Sequence, residues 1–154
     1  MVALNTTVSP FLSGLCDALA LRSGLQGVAI FSGPVTDTTG GNEAIEFGEV
    51  HNSIDWYALG RKGRKESYDV VGWTLVVKYG KAEEQTIRDA RDRAFAILDE
   101  INTCIVDDPT VGGIVTSCGL TAFDLSQVIT GKNTNARGAA IAFTISVEAI
   151  IRTG

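Results

Sequence analysis

Residues 82–106, AEEQTIRDARDRAFAILDEINTCIV, form the longest part of the chain that keeps a helical spacing of apolar residues without Pro or Gly. These apolar residues recur every three or four positions and therefore share one face of a helix: Ile87, Ala90, Ala94, Ile97, Leu98, Ile101, Cys104 and Ile105. Opposite charges also stand four residues apart, the spacing at which they meet on a helix: Glu84 with Arg88, and Asp89 with Arg93. The other face is therefore predicted to be solvated.

The helix is predicted to end at Asp107-Asp108-Pro109, because Pro disfavours a helical residue before it. Gly112-Gly113 then permits a sharp reversal. An amphipathic helix needs apolar surface to cover, so the flanking segments are predicted to form a sheet. Alternating apolar residues predict long strands at 67–79 and 138–152, and shorter strands at 27–31, 43–50 (as an exposed or edge strand) and 114–120.

The remaining segments complete a single predicted domain over residues 1–154. Residues 1–8 are expected to be a loose lead-in. Ser9 and Pro10 are predicted to cap and begin a short first helix that runs to Arg22. Residues 51–65 are predicted to be a packed loop and residues 124–136 a polar connection. At 154 residues the chain is long enough to bury about 70% of its unfolded surface.

The cysteines and the hydropathy of the chain favour a cytosolic product. The three cysteines, Cys16, Cys104 and Cys118, are an odd number and lie far apart in the sequence. This pattern indicates reduced cysteines that pack in the core. No stretch approaches the roughly 20 apolar residues of a membrane span, and no charged segment followed by an apolar run begins the chain. Export and membrane anchoring are therefore not expected.

The net charge of −5 is unevenly distributed, because Arg61, Lys62, Arg64 and Lys65 fall within five residues. Without these four, 13 − 4 = 9 basic side chains face 18 acidic ones. An acidic body with one basic segment is a poor general binder of nucleic acid. The segment could contact DNA phosphates, but it lacks neighbouring stacked aromatics, so an acidic protein partner is the favoured interpretation.

One face of the last predicted strand is small and mostly uncharged: Ala140, Ala142, Thr144, Ser146 and Glu148. A solvated sheet in a monomer usually carries more Lys and Glu. Either another chain approaches this face closely or the protein's own loops cover it.

The residues offer little support for catalysis. His51 is the only histidine, and Asp107-Asp108 before Pro are typical turn formers. No zinc spacing, nucleophile elbow, phosphate loop or dinucleotide fingerprint is present. We therefore expect no enzyme activity, no cofactor and no metal. A small enzyme using His51 or Asp107 and Asp108 is the distant alternative.

The order of predicted elements resembles that of the tail terminator (tail completion) proteins of long-tailed bacteriophages. Three features carry the resemblance: residues 66–79 leading through Gly80 into the long helix, the run Asp108-Pro109-Thr110-Val111-Gly112-Gly113, and Arg137-Gly138-Ala139 opening the last strand. The resemblance covers nearly the whole chain from the first helix onward. It implies an α/β fold of the α+β type, with a mainly antiparallel four- to five-stranded sheet and a short and a long helix on one face.

The resemblance also implies a hexameric ring that caps the completed tail tube, stops its polymerisation and joins the tail to the head. The implied partners are further copies of the chain, the tail tube protein and a neck or head-completion protein. Genomic DNA would pass through the lumen without sequence-specific binding. The implied location is the tail and neck region of the virion, with host cytoplasm during assembly. A neck or head-to-tail connector subunit on the portal side is the alternative.

Candidate interface residues come from the packed segment, the basic run, the 131–137 connection and the small-residue strand face. They are Ile54, Trp56, Tyr57, Leu59, Arg61, Lys62, Arg64, Lys65, Lys132, Arg137, Ala140, Ala142, Thr144 and Ser146.

Overall fold

The computed structural model describes residues 5–35, 42–55, 63–129 and 135–152. In chain order the elements are helix α1 (Val8–Ala20), a short 3-10 helix (Ser23–Leu25), strands β1 (Ala29–Phe31), β2 (Glu43–Asp55) and β3 (Gly63–Tyr79), helix α2 (Glu83–Asp107), and strands β4 (Ser117–Ile129) and β5 (Ala136–Arg152). Of the candidate interface residues, six lie outside the described part: Trp56, Tyr57, Leu59, Arg61, Lys62 and Lys132.

The five strands form one sheet in the order β1-β2-β3-β5-β4. β1 is parallel to β2, and every other neighbouring pair is antiparallel. α2 packs across β3, β5 and β4, while α1 packs against α2 and β1. The predicted α+β domain, with a mainly antiparallel sheet and its helices on one face, is confirmed.

Helix α2 differs from its predicted limits by one residue at each end. Six residues of the predicted stripe are buried, and Ala90, Ala94, Ile97 and Ile101 are almost fully enclosed. The other two, Ile87 and Cys104, are half-buried, and Thr86, outside the stripe, is buried.

The charge pairing along α2 was only half right. Arg88 contacts Glu84 at 3.0 Å, as predicted. Arg93, however, donates to Glu43 of β2 at 2.7 Å and not to the predicted partner Asp89. Arg93 therefore ties the helix to the sheet.

The side of the sheet under the helices holds the core. Phe47, Phe143, Ile141 and Ile145 are almost fully buried there. Gly72 makes the close approach of Phe143 possible, because a Cβ at residue 72 would lie 2.7 Å from the Phe143 ring.

Three strand predictions were wrong in extent. β3 begins at Gly63 and not at residue 67, so residues 63–65 belong to a strand and not to the predicted loop. β2 continues to Asp55, so residues 51–55 are a strand and not a loop, and residues 44–46 lie between β1 and β3 rather than at an edge. β4 begins at Ser117 and continues to Ile129, so the prediction of a connection from residue 124 was also wrong. Residues 51–55 and 124–129 are largely exposed. Exposed strands have little hydrophobic alternation, which explains why the sequence pattern missed them.

A buried carboxylate fixes the start of α1. Glu66 of β3 is 0% exposed, and its oxygens accept hydrogen bonds from the Thr7 amide, the Thr6 and Thr7 hydroxyls and the Asn52 side-chain amide. The helix begins at Val8 with Thr7 as its N-cap, two residues before the predicted start, and Pro10 is accommodated within the first turn. Thr6 and Thr7, in the expected loose lead-in, are therefore anchored to the sheet.

The turn after α2 is held by side-chain and backbone hydrogen bonds. Asp108 accepts from the Gly112 amide at 2.8 Å and the Thr110 hydroxyl at 2.9 Å. Val111, Gly112 and Gly113 all have positive φ, at 48°, 69° and 85°. The two glycines adopt this backbone without steric cost, so the run reverses the chain between α2 and β4.

Candidate protein interface

The side of the sheet that faces away from both helices, here called the open face, is apolar over its centre. Its central residues pair across β3 and β5 in three rows: Val71 with Thr144, Trp73 with Ala142, and Leu75 with Ala140. Ala142 is exposed and the other five are half-buried. On β4 the same rows end in Ala122, Asp124 and Ser126, so Asp124 is the one charged side chain among these described positions of β3, β5 and β4.

At strand β2, a buried carboxylate lies at the margin of the open face. Glu46 is only 5% exposed. It accepts hydrogen bonds from the Trp73 indole at 2.8 Å and from the Val35 amide at 2.9 Å. The indole thereby packs against Gly48, where a Cβ would lie 2.8 Å from the ring.

The far end of the open face is polar. Ser146 donates to Asp69 at 2.8 Å, and Lys65 lies 3.5 Å from Glu148. The open face therefore has an uncharged centre and a charged end.

The candidate residues divide into separate places. Ala140, Ala142, Thr144 and Ser146 share the open face, because alternate residues of a strand point to one side. Lys65 lies at its charged end.

Arg137, Arg64 and Ile54 lie elsewhere. Arg137 is mostly buried on the helix side, where it donates to Glu83 at 2.6 Å and to the Ala136 carbonyl. Arg64 donates to the Gly63 carbonyl, and Ile54 is half-buried on β2.

Sequence reasoning missed the apolar edge of β4, which lies last in the sheet. Phe123 and Val128 are each 53% exposed, and Ile129 is 68% exposed. Phe123 packs edge-to-face on Phe95 of α2, with ring centroids 5.7 Å apart. The alternation of Phe123, Leu125 and Ile129 could have signalled a strand, but Asp124, Ser126 and Gln127 between them resembled a connection.

A shallow cleft of about 270 Å³ lies between the end of β4 and the start of α2. It is lined by Glu83, Ile87, Gln127, Val128, Ile129, Arg137 and Gly138. The β4 edge and this cleft form one continuous surface, in which apolar side chains surround the ion pair between the mostly buried Arg137 and the exposed Glu83.

The residues proposed for the alternative enzyme have structural contacts. His51 is exposed on β2, 3.2 Å from Glu49. Asp107 lies 3.7 Å from Arg22, and Asp108 holds the turn described above. Hydrogen bonds from Gly112 and Thr110 lower the pKa of Asp108. Asp108 therefore acts as a turn former, the favoured interpretation of its sequence context.

The thiols are free and half-buried. Burial raises the pKa of Cys16 to about 11, and burial with the nearby Asp108 charge raises the pKa of Cys118 to about 11. Neither thiol is activated as a nucleophile. In the described part of the chain, no three His, Cys, Asp or Glu side chains are grouped to hold a metal ion.

A scan against protein-family models found no match, and a search of curated proteins found no similar sequence. Within the described ranges, neither helix combines the length and apolar character needed to cross a bilayer.

Proposed function

We propose that this chain is a tail terminator subunit of a long-tailed bacteriophage, which assembles into a ring and caps the completed tail tube. The uncharged centre of the open face carries the proposal. No described helix covers this face, and apolar surface of this kind is typical of a protein that acts through contact with other proteins. The order of elements on which the resemblance rests supports the same function.

The physical mechanism is a difference between two kinds of contact. Identical subunits that meet head to tail close into a ring when the rotation between them closes. Tube subunits also stack along the axis, where nothing in the symmetry limits growth. A cap must therefore bind the tube with one surface and offer no surface on which a further tube ring can add.

The charge of the chain suits passage of DNA through such a ring. The net charge of −5 makes general attraction to phosphates weak, so DNA would slide past without being held.

The test is to add purified protein to tubes growing from the tail tube protein of the same phage, and to measure tube length by electron microscopy. We expect rings at tube ends and an arrest of growth. Rings that bind portal complexes and leave tubes growing would favour the neck connector. A monomer that binds neither would contradict both assembly functions.

A pair of matched variants connects the test to the open face. Ala142 and Ala96 are both exposed alanines, but Ala142 lies on the open face and Ala96 on the solvent side of α2. A charge buried at an apolar contact costs several kcal/mol, so Ala142→Glu should weaken capping at least about 100-fold. Ala96→Glu should cap as wild type. Equal capping by both variants would show that the open face makes no contact.

A further inference from the structure

The outer edge of β4 is open along thirteen residues, since β4 is last in the sheet and pairs only with β5 among the described strands. An outer strand presents a row of backbone N–H and C=O groups to which another strand can add. The register shift between Leu120 and Ala122 divides this edge. The longer regular part therefore runs from Ala122 to Ile129.

Natural proteins protect such edges with charged side chains and Pro, and β4 has little of this protection. Asp124 is its one charged residue, and it contains no Lys, Arg or Pro. Its side chains include the exposed Phe123, Val128 and Ile129, which lie on both sides of the edge. Such an edge is suited to being covered by another strand.

The opposite margin of the sheet supplies a complementary edge. Among the described residues, it consists of β1 and, beyond the end of β1, the part of β2 from Val50 to Asp55. β4 runs opposite to β5, β5 opposite to β3, and β3 opposite to β2. β4 therefore runs opposite to β2 and β1, so a second copy placed beside the first in the same orientation would meet it as an antiparallel pair. The helices of both copies would then stay on one side.

The area of this contact favours a closed ring over an isolated dimer. The eight regular residues from Ala122 to Ile129, at about 3.4 Å each, give an edge about 27 Å long. With a width of about 10 Å, each contact covers roughly 270 Å² per copy, about a third of a standard interface. A symmetric β4-to-β4 dimer would use this edge once. In a closed ring each copy makes two contacts, so about 540 Å² of its surface is covered.

The geometry points to β4 as the strand that joins copies of this chain, by antiparallel addition to the β1–β2 margin of the next copy. This inference rests on the proposed ring and specifies its contact. It leaves the open faces of all copies on the same side of the extended sheet, available to a different partner.

The test compares Val128→Lys with Val106→Lys. Both valines are exposed, at 53% and 67%, but Val128 lies on the β4 edge and Val106 in the last turn of α2. A lysine near a helix C-terminus is favourable, so Val106→Lys should fold normally. Native mass spectrometry and sedimentation would measure assembly. We expect Val128→Lys to be monomeric and Val106→Lys to match wild type.

Amide exchange gives a second measurement that does not depend on a variant. Among residues 122–129, the amides that point away from β5 should exchange at least about tenfold more slowly in assembled wild type than in monomer obtained by dilution. Fast exchange in the assembled protein would overturn strand addition.

The outcomes separate this inference from the ring itself. A wild-type protein that is monomeric at high concentration contradicts the ring and with it the joining strand. An assembled wild type whose mass is unchanged by Val128→Lys and by Ile129→Lys keeps the ring and overturns the role of β4. Loss of assembly in Val106→Lys as well would also overturn it, because the effect would not be specific to the edge.

Discussion

Replacing Glu66 by Gln tests whether the buried carboxylate holds α1 on the sheet. Its two oxygens accept four hydrogen bonds, from the Thr7 amide, two hydroxyls and the Asn52 amide. Gln keeps the size but replaces one acceptor oxygen with an NH₂ group. The Thr6 hydroxyl can rotate to accept from it, whereas Asn52 must turn its amide around. Since bonds to a charged group are about twice as strong as neutral ones, Glu66→Gln should cost about 1–2 kcal/mol of unfolding free energy.

The cost should depend on pH. Burial tends to raise the pKa of Glu66, but the hydrogen bonds from Thr7, Asn52 and Thr6 outweigh it, so the pKa is lowered on folding. A lowered pKa means that the carboxylate stabilises the fold fully above its unfolded pKa of about 4.3. This stabilisation is lost as the pH falls through the folded value. The difference between wild type and Glu66→Gln should therefore shrink in acid.

Urea unfolding at pH 7 and at pH 3.5, followed by circular dichroism, would measure both effects. Glu49→Gln is the matched control, because Glu49 lies on the neighbouring strand and is exposed, so its change should stay within about 0.5 kcal/mol. Equal stability of Glu66→Gln and wild type at pH 7, or a difference that grows at low pH, would refute the reasoning.

Three further substitutions or reactions test other parts of the fold. Among the described residues the buried Thr74 hydroxyl has no hydrogen-bond partner, so Thr74→Val should raise the unfolding free energy by about 1 kcal/mol in urea titrations; a loss of stability would contradict this. Gly112→Ala should lower the unfolding free energy by about 1–2 kcal/mol, because the φ of Gly112 is +69°. Gly119 also lies in open space but has no positive φ, so Gly119→Ala should leave the stability unchanged. Equal losses of stability in thermal melts of the two variants would show that backbone conformation is not the cause. Cys16 and Cys118, with pKa values raised to about 11, should react with iodoacetamide at pH 8 more than tenfold more slowly than free cysteine, and fast labelling of the folded protein would disprove their shielding.

The parts of the fold that could be predicted are those with a strong local pattern. The α2 stripe and the alternation of β5 appear directly in the sequence, because both elements bury one face and expose the other. The short span from Asp108 to Gly113 was also predictable, since turn residues act on their immediate neighbours.

The parts that were missed depend on distant contacts. Residues 51–55 are a strand because β3 pairs with them, and their own side chains give little sign of it. Glu46 and Arg137 are charged residues with no local sign of burial, but Trp73 and Glu83 provide the hydrogen-bond partners that their burial requires. Both faces of β3 are apolar, so alternation could not show which one lies under the helices.

The position of β5 has a consequence for how the domain folds. β5 is the last strand of the sequence described here, yet it lies between β3 and β4 in the sheet. The pairing of β5 with β3 joins Tyr79 to Ala136, which are 57 residues apart in the sequence (136 − 79). The β2–β3 hairpin joins Asp55 to Lys65, which are only ten residues apart. Closing the longer loop costs more chain entropy, so the hairpin should form first and refolding should be limited by the arrival of β5. On the ribosome, β3 and β4 must wait for residues 136–152 before they share a sheet.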